Sequence, residues 1–301
     1  MHRLIGTGLV VLAALGGVAA MRHAATGSGT VVTAIQGAPR AIAVDAQTGR
    51  AFVVTNSPGR FGIADGRTSV FDTRTGALLR TVPAGLHSDN NAPLAMGVDE
   101  RAGRVLQVSA DDRARILDAR SGLLLRMVPL GALMDGPAAL AIDERSGRAI
   151  VVGGDRDGIG CFVILDTRSG RVLTTATLGG NPGDWPRWVA VDARTGRAFV
   201  SRDGQGRAPE TQVLDSGSGR VVRTVAAGGP IAVDERRGLV FIPAQMGIAM
   251  LDACSGALIR TIPLHDGKRP DALAVDETTQ RVFVVTSSLP QSSGFETVHT
   301  S

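Results

Sequence analysis

Apolar residues in this chain come in short runs rich in valine and isoleucine, and nearly every pair of runs is joined by a turn of the form Asp-x-x-x-Gly. One such phrase reads AIAVDAQTGRAFVV at 41–54, AMGVDERAGRVLQV at 95–108 and ALAIDERSGRAIVV at 139–152. It returns as WVAVDARTGRAFVS at 188–201, PIAVDERRGLVFIP at 230–243 and ALAVDETTQRVFVV at 272–285. Its aspartates, Asp45, Asp99, Asp143, Asp192, Asp234 and Asp276, recur every 42 to 54 residues. A second phrase with the same grammar lies between them. It reads SVFDTRTGALLRTVPAG at 69–85, RILDARSGLLLRMVPLG at 115–131 and VILDTRSGRVLTTATLGG at 163–180, and continues at 213–229 and 250–264. Runs of β-formers joined by Asp/Gly clusters are hairpins. The carboxylate accepts hydrogen bonds from turn amides, and the glycine supplies a positive φ. The pattern therefore predicts a repeat of four antiparallel strands, A to D, at 42–45, 51–55, 69–72 and 78–83 in the first copy. No stretch beyond the N-terminus carries a sustained helical period.

Four-stranded units repeated every ~40–50 residues are the blades of a β-propeller. No single unit can bury its apolar faces alone; its neighbours do that. Six A–B phrases are present but only five complete C–D phrases. The sixth unit ends in a strand-C-like stretch at 294–298, and a lone strand-D-like segment, VVTAIQG at 31–37, precedes the first blade. Pairing the two would complete the sixth blade and leave no exposed sheet edge. The expectation is an all-β, six-bladed propeller of four-stranded antiparallel blades over 30–301, closed by its N-terminal strand. The alternative is a seven-bladed ring of which this chain is a truncated copy.

Residues 1–29 read as a targeting segment. Met1-His2-Arg3 is a short basic start, 4–21 carries no charge, and Val18-Ala19-Ala20 offers small residues before a cleavage point. The expectation is a signal peptide, with an uncleaved membrane tether through 4–21 as the alternative. Either places the propeller outside the cytoplasm, secreted, periplasmic or on the cell surface.

The repeats resemble the YVTN-type propellers of bacterial and archaeal secreted and surface-layer proteins. Phe52-Val53-Val54-Thr55-Asn56 stands where that family has Tyr-Val-Thr-Asn, and the phrase at 69–76 matches its second motif. The resemblance covers roughly 36–287 and departs in strand B of later blades, at Gln107-Val108-Ser109, Val200-Ser201 and Ile242-Pro243. It implies the architecture and varied binding roles, and it assigns no activity, because a fold does not fix function.

Charge adds little to this picture. The isoelectric point of 10.2 accompanies a net charge of only +4. One lysine, no tyrosine and many arginines leave almost nothing to titrate between pH 7 and 10. The arginines alternate with Asp and Glu in the turns, so no basic stripe for nucleic acid is expected. Cys161 and Cys254 fall in distant places of the repeat and should be free thiols. No cofactor or metal spacing is present.

A–B and C–D turns share one end of a blade, and B–C and D–A loops share the other. The first class is uniform and reads as structural. The second varies, as loops that carry function do. Three D–A loops stand out, at 86–91, 181–186 and 265–269. They supply the candidate ligand-binding residues His87, Asp89, Asn90, Trp185, His265, Asp266 and Arg269. The residue after each loop proline begins strand A near the channel mouth, which adds Arg187 and Asp271. Trp188 takes a slot held by alanine in four other blades, where asymmetric packing competes with a role as a pocket wall. The function expected is a monomeric, non-enzymatic binding or scaffold module whose partner is a protein, a cell-surface component or a small molecule. The alternative is a metal-dependent hydrolase of lactonase or esterase type, for which Asp271, Asn90, Asp184, His87 and His265 are the available set.

Overall fold

The computed structural model describes residues 38–58, 64–83, 93–109, 111–202, 208–245, 247–264, 270–288 and 292–299. They form twenty-three strands and no helix. The strands assemble into five four-stranded sheets and one three-stranded sheet, each an antiparallel meander in chain order. Sheet 1 holds β1 (Ala38–Asp45), β2 (Arg50–Pro58), β3 (Ala64–Asp72) and β4 (Leu78–Pro83). Sheet 2 holds β5 (Pro93–Asp99), β6 (Arg104–Ser109), β7 (Arg113–Asp118) and β8 (Leu124–Pro129). Sheet 3 holds β9 (Pro137–Asp143), β10 (Arg148–Gly154), β11 (Gly160–Asp166) and β12 (Val172–Gly179). Sheet 4 holds β13 (Trp188–Asp192), β14 (Arg197–Arg202), β15 (Glu210–Asp215) and β16 (Val221–Val225). Sheet 5 holds β17 (Ala232–Asp234), β18 (Leu239–Ala244), β19 (Gly247–Asp252) and β20 (Leu258–Ile262). Sheet 6 holds β21 (Pro270–Asp276), β22 (Arg281–Ser288) and β23 (Ser292–His299). The segment at 31–37, expected to add a fourth strand to sheet 6, and the apolar stretch 4–21 lie outside the described residues.

The first strands of successive sheets touch in order: β1 meets β5, β5 meets β9, and so on to β17 and β21. The core is correspondingly divided into seams between neighbours. Phe52 and Val70 of sheet 1 meet Val105 and Leu117 of sheet 2. Leu106 and Ile116 of sheet 2 meet Val151 and Val163 of sheet 3. Along β10, Ala149 and Val151 face sheet 2, while Ile150 and Val152 face sheet 4. A middle strand buried on both faces reads as a continuous apolar run, because the side-chain period of two sends alternate residues into two different seams. The outer strands β4, β8, β16 and β20 are exposed along most of their length, whereas β12 is mostly half-buried.

Strands A to C of the first sheet are longer than the apolar runs that announced them, since polar residues extend the ladder once its register is set. Strand A also begins with an irregularity. The register shifts between Pro39 and Ala41, Pro93 and Ala95, Pro137 and Ala139, and Pro270 and Ala272. Arg40, Leu94, Ala138 and Asp271 are therefore extra residues of β-bulges, a device that re-aims a side chain at the end of a strand.

The turns at the A–B/C–D end are satisfied from within. Oδ1 of Asp45, Asp99, Asp143, Asp192 and Asp234 accepts amide hydrogen bonds two or three residues on. Turn glycines such as Gly49 (φ 66°) and Gly196 (φ 65°) occupy the left-handed region. The same turns are stitched to one another across the seams. Glu100 accepts from the amide of Ala46 at 2.7 Å, Glu144 from Glu100 at 3.4 Å, Glu235 from Ala193 at 3.2 Å and Glu277 from Glu235 at 2.9 Å. Arg194 Nε donates to the Glu235 carbonyl at 2.8 Å.

Candidate functional site

The opposite end of the molecule is built differently. Between sheets 3 and 4 an open cavity of about 520 Å³ is lined by Asp135, Gly136, Pro137, Ala138, Gly154, Asp155, Trp185 and Arg187. It forms where the loop from β12 to β13 lies down on the β10–β11 end of sheet 3. Three glycines receive that loop. A Cβ at Gly154 would come within 3.1 Å of Trp185 Cε3, one at Gly158 within 2.9 Å of the Gly183 nitrogen, and one at Gly160 within 2.9 Å of Pro186 Cδ. The Gly183 amide donates to the Gly158 carbonyl at 2.9 Å. The Trp185 ring therefore rests on bare backbone at Gly154.

Two carboxylates flank that backbone. The Asp135 amide donates to the Gly154 carbonyl at 2.9 Å, and the Gly154 amide donates to the Gly136 carbonyl at 3.2 Å. Asp155 follows Gly154 in the chain, and its Oδ1 accepts from the amides of Asp157 at 2.9 Å and Ile159 at 2.8 Å, which fixes its orientation. Asp135 is exposed and Asp155 half-buried. Arg187 is exposed, and its amide donates to the Ser201 carbonyl at 3.0 Å.

The loop is held from beneath by a buried cation. Arg202, 6% exposed, donates through Nη1 to the carbonyls of Gly179 and Asp184 and through Nη2 to that of Leu178 and to Glu210 Oε1 at 2.9 Å. Its Nη1 lies 3.9 Å from the Asp184 carboxylate. A guanidinium, with five donors in a rigid plane, suits this clamp in a way an ammonium would not.

Near the carboxylate wall stands Asp112, with φ 55°, in the turn between β6 and β7. Its Oδ1 is buried with no hydrogen-bond partner. Burial, then the like charges of Asp135 and Asp111, push its carboxyl above the usual range. Behind it, burial pushes the Cys161 thiol up to about 12, with Asp155 and Asp112 adding to the effect. Cys161 and Cys254 are both free.

Of the residues singled out from the sequence, Trp185 and Arg187 meet in the cavity. Trp188 sits one seam away, half-buried against Phe199, Val240 and Ile242. Asp271 is exposed at its bulge. His87, Asp89, Asn90, His265, Asp266 and Arg269 lie outside the described residues. For the hydrolase set, Asp184 is turned toward Arg202. Among the described residues no group of three or more His, Cys, Asp or Glu is placed to hold a metal ion.

Asp135, Gly136 and Asp155 were not anticipated. Asp and Gly are ordinary turn residues, and the loop carrying Asp135 has no unusual composition. The only trace is Gly153-Gly154, which in a strand marks close approach of another backbone or ring. No protein-family model and no curated protein matches this chain.

Proposed function

We propose that the protein is a six-bladed, YVTN-type β-propeller that acts outside the cytoplasm as a non-enzymatic binding module. The ligand site is the Trp185–Arg187 cavity. One observation carries the reading: the two ends of the sheets differ. At the A–B/C–D end one oxygen of each repeated carboxylate is taken up by its own turn, and the other oxygen of Asp99 and of Asp143 is bound by a neighbouring sheet. At the other end an aromatic ring, a guanidinium and two carboxylates surround an open cavity whose shape is set by glycine contacts and a buried arginine clamp. A concave site with a few converging polar groups is the usual form of a ligand pocket.

Ring closure belongs to the same proposal, with the segment at 31–37 as the outer strand of the sixth blade. The resemblance of the repeats and the order of the sheets support closure, and the sequence at 1–29, read as a targeting segment, supports the place outside the cytoplasm.

A thermal-shift screen of the protein against metals, sugars, peptides and cell-wall fragments tests the function, since a ligand of the folded state alone raises its stability. For the compound found, Trp185→Ala and Arg187→Ala should each weaken binding by about 1 kcal/mol or more, Trp and Arg being the types that dominate binding energy. Arg74→Ala, in an exposed turn at the far end, should leave binding unchanged. A footprint that spares Trp185 and Arg187 overturns the assignment.

A further inference from the structure

The charges around the cavity narrow the ligand's chemistry. The Trp185 ring lies on Gly154, and Asp135 and Asp155 leave the chain on either side of that glycine. An aromatic face beside carboxylates is an environment for an organic cation, which gains from the ring's quadrupole and from charge-assisted hydrogen bonds together. Arg187 lines the same cavity. Among the described residues it forms no ion pair with Asp135 or Asp155, so charges of both signs face one space without neutralising each other. A purely cationic ligand would leave Arg187 opposed, and a purely anionic one would leave the two aspartates opposed. Charges of both signs lie behind this wall. Asp112 stands beside Asp135, and Arg115 is occupied with Asp111 at 2.6 Å. The positive charge of Arg156 lowers the Asp112 carboxyl in part.

We propose that the cavity binds a zwitterion: a guanidinium or alkylammonium group held against Trp185, Asp135 and Asp155, and a carboxylate held by Arg187. A basic amino acid, free or at the C-terminal end of a peptide, carries this pair of charges. Arginine presents a planar fork to a carboxylate, and a ligand guanidinium stacks on an indole ring, so both halves use pairings of known geometry. The inference rests on the cavity being the ligand site.

Isothermal titration of the full chain with four small probes tests it. N-acetyl-L-arginine carries both charges, its amide lacks the carboxylate, and N-acetyl-L-citrulline lacks the cation. N-acetyl-L-lysine distinguishes an ammonium from a guanidinium. N-acetyl-L-arginine should bind about ten-fold more tightly than its amide or the citrulline compound, the scale of one charge-assisted contact. Arg187→Gln should abolish the preference over the amide. Asp135→Asn with Asp155→Asn should abolish the preference over citrulline; after the second substitution the new side-chain carbonyl can still accept both loop amides. Equal binding of the three probes, a preference that survives Arg187→Gln, or no binding of N-acetyl-L-arginine at about 10 mM overturns the zwitterion. If another compound from the screen binds and depends on Trp185 while N-acetyl-L-arginine does not, the zwitterion fails and the site stands. If a ligand's binding survives both Trp185→Ala and Arg187→Ala, the site itself fails.

Discussion

A single hydroxyl decides whether a buried carboxylate at the turn end is fully satisfied. In sheet 3, Thr167 donates to Oδ2 of Asp99 across the seam, and in sheet 4, Ser216 donates to Oδ2 of Asp143 at 2.9 Å. The corresponding residues of sheets 2 and 5 are Ala119 and Ala253, both fully buried. The carboxylates they would serve are those of Asp45 and Asp192, and Oδ2 of each is buried without a hydrogen-bond partner. A buried acceptor left unpaired costs about 1–3 kcal/mol. Ala253→Ser should therefore raise stability by about 1 kcal/mol, and Thr167→Ala should lower it by about 1–3 kcal/mol, as read from denaturant midpoints. Equal midpoints for both variants and the parent would show that these carboxylates are satisfied in another way. The two cysteines give a second residue-scale prediction. Iodoacetamide at pH 8 should label one thiol per native chain, the exposed Cys254. Cys161 is buried and its thiol is pushed up to about 12, so it should react only after unfolding.

The turn, repeated along the chain, is the element that organises each sheet. Its glycine is required by conformation: Gly196→Val forces a β-branched side chain to φ near 65°, at a cost of about 1–3 kcal/mol. The sixth A–B turn breaks the rule with Gln280 at φ 57°, so Gln280→Gly should move the melting temperature upward while Gly196→Val moves it downward. The glutamates that stitch neighbouring turns carry a pH signature. Burial raises the carboxyls of Glu144 and Glu235. The amides of Glu100 and Ala193 lower them in part, and nearby carboxylates raise them further. Ionising a group whose folded value is raised costs stability, in full above that value and vanishing as pH falls below the ordinary 4.5. Glu144→Gln keeps an oxygen for the Glu100 amide, so it should stabilise the protein at pH 7, with a gain that disappears near pH 4. These elements were legible because the Asp, the Gly and the β-branched runs each dictate a local conformation. The bulges at Arg40, Ala138 and Asp271 were not, because an extra residue in a ladder leaves no mark on the apolar alternation. The cavity was half legible: Trp185 and Arg187 stood out by type, whereas Asp135 and Asp155 come to line it only when a distant loop settles on Gly154.

At the scale of the molecule the sheets fall into two sets of three. The A–B turns of sheets 1 and 4 carry Ala46 and Ala193 where the other sheets carry Glu100, Glu144, Glu235 and Glu277. The glutamate stitching therefore runs from sheet 1 to 3, breaks at Ala193, and runs again from sheet 4 to 6. Thr48 and Thr195, in the same two turns, donate to the carbonyls of Ala119 and Ala253 in the next sheet. A hydrogen-bond pattern with a period of three sheets supports the proposed ring of six, made of two like halves. In the proposed ring, closure depends on an outer strand for sheet 6, where β23 pairs with β22 and, among the described residues, the sheet has three strands to its neighbours' four. The chain offers VVTAIQG at 31–37 for that position, in the pattern of β16. Removing 30–36 should leave an unpaired edge, which exposes amides and carbonyls that recruit other chains. The expected outcome is loss of a single cooperative unfolding transition, or aggregation, measured by calorimetry and light scattering against the full chain. Restoring the segment as a separate peptide should recover the transition if strand pairing is what was lost. A deletion variant that stays monomeric and melts as the parent does would show that the sixth sheet needs no strand from the N-terminus, and the six-bladed closure would have to be abandoned.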